Sequence, residues 1–179
     1  DGPINDKRLW PFYEKAQELG IPLTLHTGVS YVCPQPNSHC HPQQLDDVAL
    51  AFPDLKMIAY HAGWPYTEEL IGLCGQHKNL YMSLSGVFGW YQRSPYRGYH
   101  AIGTALQWVP ADKIVLGFDL PFDGLPRVVD YIKNLDMPEE LQEKWGYAQV
   151  TDEDKAKILG LNLAKLTGIE PVKRCKPAK

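Results

Sequence analysis

The sequence predicts an α/β protein organised on a parallel sheet, and three stretches predict it. The first, Pro22-Leu23-Thr24-Leu25-His26-Thr27-Gly28, is an apolar, partly β-branched run that stops at a histidine. The second, Met57-Ile58-Ala59-Tyr60-His61-Ala62-Gly63, repeats it, and Ile114-Val115-Leu116-Gly117-Phe118-Asp119-Leu120-Pro121 ends instead on a carboxylate. Continuous apolar runs of this length are the mark of strands buried on both faces. Each carries a metal-competent side chain at its C-terminal end, the edge where parallel α/β proteins bind ligands.

The elements between these runs follow in order. Residues 6–19 read as an amphipathic helix, with Leu9, Phe12, Tyr13, Ala16 and Leu19 at three- and four-residue spacing, Pro11 near its start and Gly20 at its end. After the first strand, residues 29–42 form a loop rich in Pro, Asn and Ser. Residues 43–52 read as a second helix, broken by Pro53-Asp54 before the strand to His61. A third helix is predicted over residues 67–77 and a further strand over 80–86. Residues 87–99 read as an aromatic-rich loop, followed by a helix over 100–108 and a turn at Pro110-Ala111-Asp112. Strand ends recurring every 24 to 35 residues are the grammar of a parallel sheet with helical crossovers.

Beyond Asp119 the chain reads as helical. Helices are predicted over 127–135 and 139–145, and Thr151-x-x-Asp154 resembles a capping box that opens a last helix running to Gly168. Residues 171–179 form a basic tail. Four strands leave two readings open: a compact open sheet, or the C-terminal half of a closed barrel. The half-barrel would leave two strand edges unpaired, and Leu23, Leu25, Ile58 and Val115 would face inward with no opposite layer. It would neither fold to a monodisperse monomer nor be active by itself.

At 179 residues, 44% hydrophobic and 22% charged, the chain is sized for one domain with a real core. A formal net charge of -3 gives no reason to expect nucleic acid or an anionic membrane as partner. No apolar run approaches the roughly 20 residues a bilayer needs. The chain opens on Asp1 with no signal-peptide pattern and no initiator Met, so its true start is expected upstream. Cys33, Cys40, Cys74 and Cys175 show no disulfide framework, which predicts a reduced, cytoplasmic setting.

His26, His61 and Asp119 are ligand types suited to a divalent ion such as zinc. A catalytic zinc typically uses about three protein ligands and lowers the pKa of its water from about 15.7 to near 7. Each residue taken alone has an ordinary structural explanation; their shared position on three strand ends favours a site. Cys33, His39, Cys40 and His41 have no standard zinc spacing and read as an irregular loop. His77 and His100, at a helix end and a helix start, read as solvent-exposed. Residues 87–99 carry Phe88, Trp90, Tyr91, Arg93, Tyr96, Arg97 and Tyr99. They read equally as a pocket wall, with arginine binding a carboxylate, or as packing against the body or another subunit.

Four segments in this order, ELGIPLTLHTG, FPDLKMIAYHAG, DKIVLGFDLP and DKAKILGLNLAKLTGI, resemble the C-terminal half of the amidohydrolase-related family. The resemblance is to the branch with aminocarboxymuconate-semialdehyde decarboxylase and the γ-resorcylate decarboxylases. It spans about residues 6–168 and implies half of a metal-dependent (β/α)8 TIM barrel, strands five to eight with their helices, over residues 1–170. It further implies that His26 and Asp119 bind a divalent metal, zinc or alternatively manganese, and that His61 and Asp119 are catalytic. Trp90, Arg93, Arg97 and Phe118 are the candidate substrate-binding residues. The family's strand-one His-x-His or Glu-x-His motif is not found here, and Gly117-Phe118-Asp119 stands where Gly-Ser-Asp is usual.

The expected function is a metal-dependent hydrolase acting on a small carboxylated or aromatic substrate through metal-activated water. A non-oxidative decarboxylase of the same family is the alternative. A barrel-derived binding protein without catalysis is the rival from another class. The expected partners are the small-molecule substrate, an N-terminal half of the barrel and further copies in a homo-oligomer, with no nucleic acid and no membrane.

Overall fold

Asp6 starts the ordered architecture by accepting the Arg8 N–H, which caps a 3-10 turn at Lys7–Leu9. That turn leads into helix α1, Trp10–Glu18, where Pro11 sits in the first turn, so its missing N–H breaks no helical hydrogen bond. The computed structural model describes residues 2–31, 35–86, 94–119 and 125–171. Four strands follow: β1 (Leu23–Leu25), β2 (Met57–Ala59), β3 (Leu80–Ser83) and β4 (Ile114–Val115). They form one parallel sheet in the order β1-β2-β3-β4. The crossovers are helices α2 (Gln44–Ala51), α3 (Thr67–Gln76) and α4 (Pro95–Trp108).

The register explains the core. Leu25 lies beside Ala59, Ala59 beside Met82, and Met82 beside Ile114. These residues pack with Leu45, Val48, Leu70, Ile71 and Ile102 from the crossover helices. Each Leu, Ile, Val or Met among them contributes about 1.5–3 kcal/mol on full burial. Because successive strand residues alternate between faces, Ile58 and Val115 belong to the other face. There Leu166 buries them, with Tyr60 and Tyr81 packed alongside. Leu23 and Leu25 pack on the helix-covered side, contrary to the inward placement expected from the sequence.

Helices α5 (Leu125–Lys133) and α6 (Glu139–Trp145) come next, and then α7 (Asp152–Ala156). Both hydrogen bonds of the Thr151–Asp154 capping box are present at the start of α7. A wide π-type turn, Lys157–Leu161, joins α7 to α8 (Asn162–Thr167). In that turn the Ile158 carbonyl accepts the Leu116 N–H at 2.9 Å. Asn162 Nδ2 donates to the carbonyls of Ala111 (2.7 Å) and Ile114 (2.8 Å). Groups flanking β4 that the half-barrel reading left unpaired are therefore taken by the chain's own last helices. Among the described residues no strand pairs with the outer side of β1.

Two helices start earlier than the sequence reading expects. Helix α4 begins at Pro95, five residues before the expected start at His100. Proline's fixed φ favours a first helical turn, a signal outweighed by the surrounding aromatics. Helix α5 begins two residues earlier than the predicted 127. The basic tail, bar its first residue, lies outside the described residues. Among those described, no helix is long and apolar enough to cross a membrane.

Candidate active site at the C-terminal ends of the strands

His26 follows directly on β1, one residue beyond Leu25. Its Nδ1 is buried and has no hydrogen-bond partner among the described residues. Such orphaned polar atoms are rare in folded proteins and need an explanation. The next residue, Thr27, is fully buried and its hydroxyl donates to the Tyr60 carbonyl, which ties the end of β1 to the end of β2. Gly28 follows with φ +86, and a Cβ there would stand 2.0 Å from the Trp64 carbonyl oxygen. Only glycine serves at this point of contact.

His61 begins a left-handed turn. It has φ 59, and Ala62 (φ 45) and Gly63 (φ 66) continue it. Positive φ at two consecutive non-glycine residues is a strained arrangement that surrounding contacts must impose, at about 1–3 kcal/mol per residue. The contacts come from the end of β3. The His61 backbone N–H donates to Ser85 Oγ at 3.2 Å, and His61 Nδ1 lies 3.2 Å from the Ser85 carbonyl oxygen. The Trp64 N–H closes the turn on the His61 carbonyl at 3.0 Å. The result sets the two imidazoles edge to face, with ring centroids 4.9 Å apart at 64°.

Asp119 reaches the same place from beyond β4. A Cβ on Gly86 would lie 3.0 Å from His61 Nδ1 and 3.4 Å from Asp119 Oδ2, so this glycine sits between the two side chains. A Cβ on Gly117 would lie 2.4 Å from Ser83 Oγ. The close approach of the β3 and β4 ends thus depends on a bare backbone there. The electrostatics agree with convergence: burial pulls the His26 pKa down, the neighbouring His61 lowers it further, and the Asp119 carboxylate opposes both. His26, His61 and Asp119 come together from three strand ends. Ser85 and Gly86 are the site residues that sequence reasoning passed over. Their signal was available, since Leu84-Ser85-Gly86 repeats the pattern of an apolar run closing on a polar residue and glycine.

The other candidates divide. Arg97 is exposed on α4 and lines a cleft of ≈ 190 Å³ with Trp64, Glu68, His100 and Thr104. Phe118 is half-buried and packs against the principal core. Trp90 and Arg93 lie outside the described residues, as do Cys33 and Cys175. Cys40 is buried and takes a hydrogen bond from Gln35 Nε2, while His41 packs at a tilt on Tyr66, ring centroids 4.1 Å apart, and lies 3.3 Å from Glu69. Cys40 and Cys74 are free thiols.

The two histidines expected in solvent are not there. His77 is buried, with Nε2 at 2.6 Å from Asp46 Oδ1. His100 is half-buried, bonded through Nδ1 to the Tyr147 hydroxyl and packed edge to face on Trp145. Both gain partners from distant segments, which no local pattern announces.

Tested as a metal centre, the strand-end cluster has the right donor types, and His26 offers a buried nitrogen with no other partner. The set is incomplete by itself. Among the described residues no three metal-competent side chains gather closely enough to hold an ion.

Comparison with known proteins fits this architecture. An uncharacterised TIM-barrel protein from Bordetella bronchiseptica superposes with a TM-score of 0.72 and 25% identity, over 93% of this chain and 52% of that one. A dihydroxybenzoic acid decarboxylase from Polaromonas sp. JS666, solved with manganese and the inhibitor 2-nitroresorcinol, matches at TM-score 0.61 and 17% identity, over 93% and 55%. A zinc-bound amidohydrolase from Burkholderia multivorans matches at 0.59 and 14%, over 93% and 59%. The chain thus spans about half the length of these structures. No curated protein matches the sequence. The amidohydrolase family model matches residues 1–169. On that match, with its parallel sheet and its ring of polar strand ends, the chain belongs to the amidohydrolase family.

Proposed function

We propose that this chain is the C-terminal half of a metal-dependent (β/α)8 barrel enzyme that hydrolyses a small carboxylated or aromatic substrate. The carrying observation is the convergence of His26, His61 and Asp119 from three strand ends, with His26 Nδ1 buried and unpartnered among the described residues. His26 and Asp119 would hold a divalent ion, zinc in the first instance, together with ligands from strand one in the other half. Such an ion supplies Lewis acidity toward a substrate oxygen. The matched structures, each covered over little more than half its length, support a second half of similar size.

In hydrolysis, water adds to the substrate carbon, Asp119 accepts the proton, and the leaving group departs with a proton returned to it. His61, tied to the β3 end through Nδ1, has Nε2 for proton transfer. Arg97, with Arg93, would anchor a substrate carboxylate through the guanidinium fork. Trp90 and Phe118 would supply apolar walls.

A second reading, non-oxidative decarboxylation, draws support from the manganese-bound dihydroxybenzoic acid decarboxylase among the matched structures. There His61 would protonate the ring carbon as the carbon–carbon bond breaks and CO2 leaves. The test is to combine this chain with a half carrying a His-x-His strand, add zinc or manganese, and assay carboxylated aromatics. CO2 release separates lyase from hydrolase. Activity that requires both halves, and disappears in His26→Ala and Asp119→Asn, is expected. Activity retained in both variants would overturn the reading.

A further inference from the structure

The Ser85-Gly86 corner has a role beyond linking β3 to the next segment. Three contacts join it to His61: backbone N–H to Ser85 Oγ at 3.2 Å, Nδ1 to the Ser85 carbonyl at 3.2 Å, and Nδ1 to Ser85 Oγ at 3.4 Å. Ser85 is buried, and its own N–H donates to Ser83 Oγ at 3.3 Å, so the corner is braced from within β3. Gly117 packs where a Cβ would strike Ser83 Oγ, and Gly86 leaves the space a Cβ would take from His61 and Asp119.

These contacts decide which imidazole nitrogen carries a proton. A carbonyl oxygen can only accept, so its bond to Nδ1 requires Nδ1–H. The hydroxyl could instead donate to a bare Nδ1, which would put the hydrogen on Nε2. The carbonyl contact is the shorter of the two, and the hydroxyl already accepts the His61 backbone N–H. We propose that Ser85 is a positioning residue: its hydroxyl pins the left-handed turn at His61 so that its carbonyl holds the imidazole as the Nδ1–H tautomer. Nε2 is then the nitrogen that gives or takes protons. This deepens the proposed function, because it assumes that His61 handles protons.

The experiment reads the tautomer and needs no substrate or metal. Long-range 15N–1H correlation spectra are recorded, without metal, on the 15N-labelled 179-residue chain combined with the unlabelled half that carries strand one, at about pH 8.5, two units above the ordinary histidine pKa. The His61 signals are assigned by their loss in His61→Gln. The expected result is an Nδ1–H majority in the wild type. In Ser85→Ala the Nε2–H share rises, and Ser85→Thr, which keeps the hydroxyl, returns the wild-type pattern. An Nε2–H majority in the wild type, or a folded Ser85→Ala with an unchanged tautomer, overturns the proposal. Should the alanine variant not fold, an Nε2–H majority in either remaining spectrum overturns it. Failure of catalysis with the tautomer intact would instead count against the proposed function alone.

Discussion

The two ends of the sheet are built on opposite terms. At the end where strands begin, polar groups are paired in depth. Lys113 Nζ donates to the carbonyls of His77 (2.7 Å), Lys78 (2.8 Å) and Leu80 (3.0 Å), and lies 4.8 Å over the Tyr81 ring. Asn79 closes the end of α2 by donating to the Phe52 carbonyl at 2.9 Å, and His77 holds Asp46. Asn162 takes two carbonyls beside β4. At the end where strands finish, His26 Nδ1 has no partner among the described residues, and His61 and Ala62 sit in left-handed backbone. The contrast separates stability from chemistry. A family fold keeps one end satisfied and spends strain and unpaired donors at the other, where a ligand would complete them.

The largest effect should come from breaking the satisfied end. Asn162→Leu leaves the Ala111 and Ile114 carbonyls without their partner. The expected loss is about 3 kcal/mol, read as a lower urea midpoint at unchanged slope. Lys113→Met removes three donors from carbonyls nearer solvent and should lose about 2 kcal/mol by the same measurement.

At the strained end the pattern should invert. Asn tolerates the left-handed region better than most residues, so His61→Asn should stay within about 1 kcal/mol of wild type in the melt. In the complemented enzyme it should lower turnover by at least about a hundredfold. A melt shifted as far as that of Asn162→Leu would erase the contrast between the ends.

The smallest effect is a pH dependence. Burial first, and then the charge on His61, hold His26 below the ordinary 6.5. The unfolded chain therefore binds the proton more tightly. The contribution is present in full above pH 6.5 and is lost as pH falls from there through the folded pKa. In the complemented protein without metal, His26→Gln should flatten the decline of unfolding free energy below that pH. An unchanged slope would remove His26 from the acid sensitivity.

The legibility of the sequence follows the same division. The strand ends stood out because each apolar run closes on a metal-competent side chain, a signal carried within seven or eight residues. The Thr151 capping box was equally local and equally visible. Ser85 followed the pattern but is no metal ligand, so it passed as strand. The satisfied end was nearly invisible, since Lys113 bonds to carbonyls 33 to 36 residues earlier and Asn162 reaches back 48 and 51. The cover on β4 also depends on the wide turn at Lys157–Leu161, which helical periodicity does not encode.

The central proposal is that His26 and Asp119 hold a metal ion, with His61 beside it. Titration of the 15N-labelled chain, combined with the unlabelled half that carries strand one, with substoichiometric Mn2+ tests it most directly, because paramagnetic broadening registers even weak occupancy near the ion. Signals of His26, Thr27, His61, Ser85, Gly86 and Asp119 should fade first and together, and His26→Ala should abolish the effect. Broadening centred instead on Asp46 and His77, or no selective broadening at all, would contradict it.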